Sequence, residues 1–155
     1  MCEFTSVAVQ TVNPGETVVF TQTAKPCTRN FVRHRDDTGS FLLAGYVPPS
    51  RNGCNCKKKS AEYFVDFGAN VAIPTGGTVG EIAVAVTIDG ATVPAATMRV
   101  TPAAVEEYFN ISRAVSVDVW NGCCETLSIR NIGTDPILVQ EANLVITRPD
   151  LYVTM

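Results

Sequence analysis

Six cysteines have the greatest capacity for chemistry in this sequence of 155 residues, and they are Cys2, Cys27, Cys54, Cys56, Cys123 and Cys124. Six cysteines allow fifteen disulfide connectivities, and the sequence alone does not choose among them. Cys123 and Cys124 are adjacent and cannot easily bond each other, so each needs a different partner when it is oxidised. If the turn at 121–122 lies near the 48–58 loop, Cys54 and Cys56 supply both partners. Each such disulfide would stabilise the fold by about 2–4 kcal/mol.

Three other roles for the cysteines stay open at this point. A zinc site could use Cys54, Cys56, Cys123 and Cys124, but zinc ligands are usually separated by about two to four residues, which these spacings do not match. Buried thiols that act as small hydrophobic side chains are a second alternative. In the third, Cys2 bonds a cysteine of the next copy and cross-links the subunits of an extracellular appendage.

The single histidine, His34, does not indicate catalysis. A catalytic triad would require it beside a serine or cysteine and an acid, and no Gly-x-Ser-x-Gly elbow accompanies it. The acidic pairs at 36–37 and 106–107 are sequence neighbours whose side chains point in different directions, so they do not form an acid–base pair by themselves. The sequence therefore predicts a protein that is not an enzyme and that has no metal or cofactor site.

Charge is distributed unevenly along the chain. Residues 25–59 contain eight basic and two acidic residues, a net charge of +6, whereas the remainder carries −9. The predicted basic face consists of Lys25, Arg29, Arg33, Arg35, Arg51, Lys57, Lys58 and Lys59. Such a split can orient the molecule on an acidic partner, such as a capsid shell, or pair neighbouring copies basic face to acidic face. Nucleic acid is not predicted as a partner, because the stretch lacks a recognition-helix pattern and regularly interleaved aromatic residues.

The composition favours β-structure. Valine (21 residues), threonine (17) and isoleucine (8) greatly outnumber the six leucines, and β-branched side chains suit pleated, half-buried surfaces. Charged residues make up only 17% of the chain, which excludes a disordered protein, and no apolar run approaches the roughly 18 residues of a membrane span. Residues 1–5 lack a basic segment followed by an apolar stretch, so no secretory signal is expected.

Alternation and turn signals predict the strands. Segments 5–12 and 16–22 are predicted to form a hairpin around the Asn13-Pro14-Gly15 turn, and a strand beginning near Ala61 is expected to end near Gly68. The pattern of 81–88 ends at an Asp-Gly pair, which is a strong hairpin signal. Segment 101–107 has the pattern of a capped helical turn, and strands are predicted at 108–119, 125–132 and 136–147.

Two features of these strands suggest what lies on their surfaces. Ala83 and Ala85 occupy the second face of their strand, where a solvated face would usually carry charged residues. We therefore predict that a neighbouring subunit covers them and that they form a subunit interface. Trp120, before the Asn121-Gly122 turn, is predicted to pack in the core, because tryptophan is usually well buried.

The segments YFNIS (108–112), TLSIRN (126–131) and ANLVI (142–146) resemble the closing strands of trimeric jelly rolls. The relatives are the tumour-necrosis-factor and complement-type globular heads and the C-terminal heads of bacterial spore-surface collagen-like proteins. FGANVAIPTGGT (67–78) and VTPAAV (100–105) are more closely similar to a family of small jelly-roll proteins from gut Clostridia and their phages or prophages. This resemblance covers about residues 4–148 and implies a compact homotrimer used as a structural, display or capsid-decorating unit.

These observations together predict an all-β fold, a single tumour-necrosis-factor-like jelly-roll sandwich of about eight to ten antiparallel strands. The domain is expected to span 1–155, with a basic, cysteine-containing loop region at 25–59 and a short C-terminal tail at 149–155. The expected function is that of a homotrimeric phage head-decoration protein on the virion surface, made in the host cytoplasm. The alternatives are a glycan- or receptor-binding head of a fibre or spore surface and the disulfide-linked appendage subunit.

Overall fold

The computed structural model describes residues 1–47, 60–122 and 124–149, and in these ranges eleven strands form two antiparallel sheets. Sheet A contains β1 (Cys2–Ser6), β2 (Gln10–Val12), β3 (Gln22–Lys25), β6 (Ser60–Ala72), β9 (Phe109–Trp120) and β11 (Ile137–Thr147). Sheet B contains β4 (Val32–His34), β5 (Phe41–Ala44), β7 (Ile82–Ile88), β8 (Ala91–Val100) and β10 (Cys124–Asn131).

The order of the strands is that of a jelly roll. Sheet A runs β3-β1-β11-β6-β9, with β2 also paired to β11, and sheet B runs β4-β5-β10-β7-β8. Strands far apart in sequence are therefore neighbours, as when the first strand pairs with the last. The predicted all-β jelly-roll sandwich is confirmed.

Strand β6 shows most clearly how the sequence produces the sandwich. Its alternate residues are fully buried between the two sheets, and they are Ala61, Tyr63, Val65, Phe67, Ala69 and Val71. Burial of a large apolar side chain contributes roughly 1.5–3 kcal/mol, so this row is a major source of stability. The predicted alternation is confirmed, but the strand does not end near Gly68, because residues 69–71 continue to pair with β9 and residues 70–72 with β11.

His34 belongs to an aromatic cluster that joins the two sheets. Its ring stacks on Phe41 with a centroid distance of 4.1 Å and meets the edge of Phe4 at 5.0 Å. Its Nδ1 lies 3.0 Å from the carbonyl oxygen of Ser40, and its Nε2 lies 3.2 Å from that of Phe20. The contacts of this histidine are therefore those of a structural residue.

The turn at 13–16 does not close the predicted hairpin. Val12 pairs with Ile137 in sheet A, whereas Thr17 forms a bridge with Arg130 in sheet B. The turn thus carries the chain from one sheet to the other, and the hairpin prediction is wrong. The reason is that Phe20 and its apolar neighbours in this segment are buried in the core beside sheet B.

The Asp-Gly pair behaves as predicted. Asp89 (φ 50°) and Gly90 (φ 83°) both adopt positive φ and connect β7 to β8. Two positive φ angles are the requirement of the tight turn that suits the twist of paired strands.

Segment 101–107 is not helical, so that prediction is wrong. Glu106 has a φ of 59°, which a right-handed helix does not contain, and its amide donates to the carbonyl of Ile73 at 2.8 Å. The backbone conformation here is therefore determined by contact with the neighbouring loop and not by local helix capping.

Among the described residues, no helix is long and apolar enough to cross a membrane.

Arg148 ties the last strand to the opposite sheet. Its guanidinium is buried, lies 4.4 Å from the ring centroid of Phe31 and 5.5 Å from that of Tyr63, and donates to the carbonyl of Tyr46 at 2.5 Å. The Tyr63 hydroxyl donates in turn to the carbonyl of Ala44 at 2.6 Å. A desolvated cation over an aromatic ring contributes about 2 kcal/mol, so this buried charge is stabilised by its surroundings.

A disulfide joins Cys2 of β1 to Cys27, just after β3, with their Cα atoms 4.5 Å apart. Because both cysteines belong to one chain, the prediction that Cys2 bonds a cysteine of the next copy is wrong. The bond closes a loop with a sequence separation of 25 residues, and loop-closure entropy gives about 3.5 kcal/mol for a loop of this length.

Replacing both of these cysteines, as in Cys2→Ser with Cys27→Ser, is expected to lower the free energy of unfolding by about 3 kcal/mol. Urea denaturation followed by fluorescence measures the change. Mass spectrometry of the unreduced natural chain, cut after glutamate at Glu3 and Glu16, should find the peptides of Cys2 and Cys27 joined. An unchanged free energy of unfolding in the double variant would contradict the assignment.

Glu125 provides a test of surface electrostatics. Burial first, and then the negative charge of Asp89, raise the pKa of its carboxyl above the ordinary value of 4.5. A raised pKa means that ionised Glu125 lowers stability at neutral pH, and that this effect disappears as the pH falls below 4.5. We expect Glu125→Gln to raise Tm by about 1–3 °C at neutral pH and to leave it unchanged near pH 3.5, as calorimetry would show. A lower Tm at neutral pH would refute this.

Candidate interaction surfaces

Four of the eight predicted basic residues lie together where the edge strands of the two sheets meet. They are Lys25 on β3, Arg29 in the turn that follows, Arg33 on β4 and Arg35 just after β4, and all four are exposed. A hydrogen bond from Thr23 Oγ1 to Asp36 Oδ1 (3.3 Å) links the two sheets at this edge. We call these four residues the basic side. Arg51, Lys57, Lys58 and Lys59 lie outside the described residues.

The Met1 amino group lies close to Lys25 of the basic side. Partial burial and the nearby charge of Lys25 both lower the pKa of the Met1 amino group. Asp36 and Asp37 lie beside β4 and offset part of the charge. The region nevertheless has an excess of cations, which favours an acidic partner.

The outer face of sheet A is the second candidate surface. Because the inner row of β6 is buried, the alternate residues of β6 and β9 point away from the core. They form directly opposed pairs, which are Ser60 with Trp120, Glu62 with Asp118, Phe64 with Ser116, Asp66 with Ala114, Gly68 with Ser112 and Asn70 with Asn110.

Two large aromatic side chains are exposed on this face. Phe64 is 47% exposed and Trp120 is 63% exposed. The prediction that Trp120 packs in the core is wrong, because β9 buries Val117 and Val119 and its alternation therefore turns residue 120 outward. Exposed aromatic residues on one face typically mark a contact surface rather than solvated protein.

Three carboxylates lie between and beside the aromatic residues, and we call Glu62, Asp66 and Asp118 the acidic side. Glu62 and Asp118 are directly opposite each other on β6 and β9, an arrangement of like charges that destabilises a sheet. Within the described residues, no basic side chain forms an ion pair with any of the three. The chain thus maintains a local repulsion that a cationic partner would relieve.

Small residues flatten the middle of the face. Gly68, Ser112, Ala114 and Ser116 occupy adjacent outward positions. A Cβ on Gly68 would meet only the carbonyl oxygen of Ile111 at 3.8 Å and Ser112 Cβ at 3.9 Å, which are ordinary contacts. The fold of the single chain therefore does not require glycine here, although glycine within a strand costs about 0.5–1 kcal/mol relative to alanine. A mid-strand glycine often marks a β-bulge or a site where another surface approaches closely, and Gly68 lies beside a register shift of β11.

Hydrogen bonds hold the polar part of the face in a fixed arrangement. Asn110 Nδ2 donates to Asn70 Oδ1 at 3.2 Å, and Asn70 Nδ2 donates to Glu141 Oε2 at 2.9 Å. Nearby, Asn143 Nδ2 donates to Glu3 Oε1 at 2.5 Å. Ordered side chains lose less conformational entropy when a partner binds, so the face is suited to recognition.

Ala83 and Ala85 are already covered within the single chain. They are 3% and 0% exposed, respectively. Arg130 and Thr97 flank Ala85 on the neighbouring strands, and segment 132–133 contacts Ala83. Their burial therefore needs no second subunit, and their role in a subunit interface stays a prediction.

Only one of the remaining four cysteines lies within the described residues. Cys54, Cys56 and Cys123 lie outside the described residues, and Cys124 is exposed at the start of β10. The predicted disulfides between these loops, and the zinc alternative, stay predictions. In the part of the chain that the structure describes, no three histidine, cysteine or acidic residues come together as metal ligands.

Comparison with known proteins agrees with the fold. No protein-family model matches the chain, and no curated protein matches its sequence. The globular domain of the zebrafish complement 1qA protein superposes with a TM-score of 0.58 at 10% identity, over 93% of this chain and 94% of that one. This similarity shows a shared fold, and it confirms the complement-type jelly roll. The expected relationship to small proteins of Clostridia and their phages stays a prediction.

Two sugar-binding structures superpose less well. A family 35 carbohydrate-binding module from an environmental isolate has a TM-score of 0.40 at 15% identity, over 96% of this chain and 97% of that one. The C-terminal domain of EclA, a sugar-binding protein, has a TM-score of 0.34 at 16% identity, over 81% and 89% of the two chains. Superpositions with TM-scores this low do not indicate what the present chain binds.

Proposed function

We propose that the chain is a non-enzymatic head domain that assembles as a homotrimer and serves as a structural unit on the surface of a larger particle. The observation that carries this proposal is the outer face of sheet A, where small residues of β9 lie beside the exposed Phe64 and a glycine that the single chain does not require. A second copy of the chain is the partner whose close approach would explain this combination.

The size of the face is compatible with self-association. Its outward rows extend about 33 Å along β6 and about 14–19 Å across the sheet, which gives an area of about 500–600 Å². A stable interface buries about 800 Å² on each partner. The contact must therefore use nearly the whole face together with its rim, which includes Trp120.

The proposed location is the surface of a virion, as a decoration of the phage head. The disulfide between Cys2 and Cys27 supports a location outside reducing compartments, because disulfides persist mainly in oxidising surroundings. A spore or bacterial cell surface would satisfy the same requirement and is the alternative location.

A receptor- or glycan-binding head is the second candidate, and the exposure of Phe64 and Trp120 beside carboxylates favours it. Aromatic rings supply apolar platforms, and carboxylates accept hydrogen bonds from hydroxyl groups. This function uses the same face as the trimer contact, including Trp120, and is therefore an alternative to that contact.

The assembly is tested by adding a side chain to the centre of the face. Gly68→Gln should raise the dissociation constant of the trimer by about tenfold or more, since overpacking an interface costs about 1–3 kcal/mol. Analytical ultracentrifugation measures the mass, which should be three times 16.6 kDa for the natural chain. Gly80→Gln is the matched control, because its added Cβ meets nothing within 4 Å and Gly80 lies off the face. A monomeric natural chain, or equal behaviour of the two variants, would contradict the proposal.

Glycan binding is tested with Trp120→Ala. If the second candidate is right, a glycan identified on an array should bind the natural chain and lose at least about tenfold in affinity with the variant, because one stacking platform is removed. The matched control is Tyr46→Ala, which removes an aromatic ring of similar exposure outside sheet A. Equal affinity of the natural chain and Trp120→Ala, or no bound glycan at all, would eliminate this candidate.

A further inference from the structure

Two oppositely charged surfaces lie at different edges of the same molecule. The basic side lies where β3 and β4 form one edge of the sandwich, and the acidic side lies on β6 and β9 toward the other. Strand spacing places them about 14–19 Å apart within one chain. This exceeds the screening length of about 8 Å at physiological salt, so neither surface neutralises the other. Among the described residues, no member of either set is found in an ion pair.

Ring symmetry requires such a pair of different surfaces. In a closed ring of identical subunits, each copy contacts the next through one patch and the previous copy through another. A two-fold dimer can pair the basic side with the acidic side only if one continuous interface contains both of them, and their position at different edges makes this difficult. The arrangement of charge at opposite edges therefore suits a ring and disfavours a two-fold dimer.

We propose that the basic side of one copy packs against the acidic side of the next copy around the trimer axis. This inference rests on the homotrimer proposed above and specifies which surfaces meet. Arg33 and Arg35 would then pair with Glu62 and Asp118, relieving the repulsion between those two carboxylates.

The surroundings of the carboxylates suit guanidinium groups in particular. Phe64 and Trp120 are exposed beside Glu62 and Asp118, so an arginine can stack on a ring while it pairs with a carboxylate. The basic side lies at an edge of the sandwich, whereas the acidic side lies on the outer face of sheet A. An edge of one copy can thus seat on the face of its neighbour.

Charge reversal tests the contact directly. The acid-reversed variant is Glu62→Lys with Asp118→Lys, and the base-reversed variant is Arg33→Glu with Arg35→Glu. Each should weaken the trimer by at least about tenfold, since it places like charges against each other across the interface. The variant with all four substitutions should recover the trimer, because the attraction is restored with its signs exchanged. Analytical ultracentrifugation at two salt concentrations measures all of these masses.

Mixing the two reversed variants adds a test of ring geometry. At positions 33, 35, 62 and 118, one variant carries only cations and the other carries only anions, so the two can only alternate. An equal mixture should give pairs or even-numbered rings but no trimer, because an odd ring would bring two like surfaces together.

Two controls separate charge from folding. Glu16→Lys with Asp135→Lys changes the net charge by the same amount as the acid-reversed variant, in turns distant from both surfaces, and should leave the trimer intact. Circular dichroism and thermal unfolding should show that every variant keeps the sandwich.

The possible results distinguish the two proposals. A monomeric natural chain overturns both the homotrimer and this contact. A trimer that survives either reversal, or one that the fourfold variant fails to restore, overturns the contact and leaves the homotrimer standing. If only the acid-reversed variant dissociates, the basic side faces a different acidic molecule and the inference is wrong.

Discussion

The burial of one row of β6 against sheet B determines most of what the molecule presents to its surroundings. Tyr63, Val65 and Phe67 are in the core, so the residues between them must point outward, and the paired strand β9 follows the same alternation. A shift of one residue would bury the carboxylates and expose the core. The register that stabilises the sandwich therefore also creates its flat face, with aromatic and acidic side chains held at fixed positions.

The path of the chain places the cations at the opposite edge. The disulfide between Cys2 and Cys27 attaches the end of β3 and the turn after it to β1, and these carry Lys25 and Arg29. Edge strands have few backbone partners, and β3 is exposed along its whole length. The covalent bond therefore holds in place a charged surface that apolar packing alone would leave weakly fixed, and charged residues protect such an edge from uncontrolled strand pairing.

Local patterns predicted those elements whose structure is decided locally. The alternation from Ala61 and the Asp-Gly turn correspond to β6 and to the β7–β8 connection, since burial of one face and positive φ angles are properties of a few adjacent residues. Local patterns could not predict which sheet segment 16–22 joins, because an alternating strand fits either sheet equally well. The prediction of a helical turn at 101–107 was wrong for a similar reason, because a hydrogen bond to the carbonyl of Ile73 fixes the backbone of this segment.

The candidate surface shows the same limit. The sequence marked Ala85 as a small residue on the second face of its strand, yet Arg130 and Thr97 flank it on adjacent strands and it is fully buried. Gly68, between Ser112 and Asn143, is partly exposed. Whether a small residue is covered thus depends on its cross-strand neighbours, which are known only from the strand register. The alternation of 61–67 did place Glu62, Phe64 and Asp66 on one face. Their opposition to Asp118 and Trp120, which makes the face a strongly acidic surface with apolar anchors, emerges only when β6 and β9 are paired.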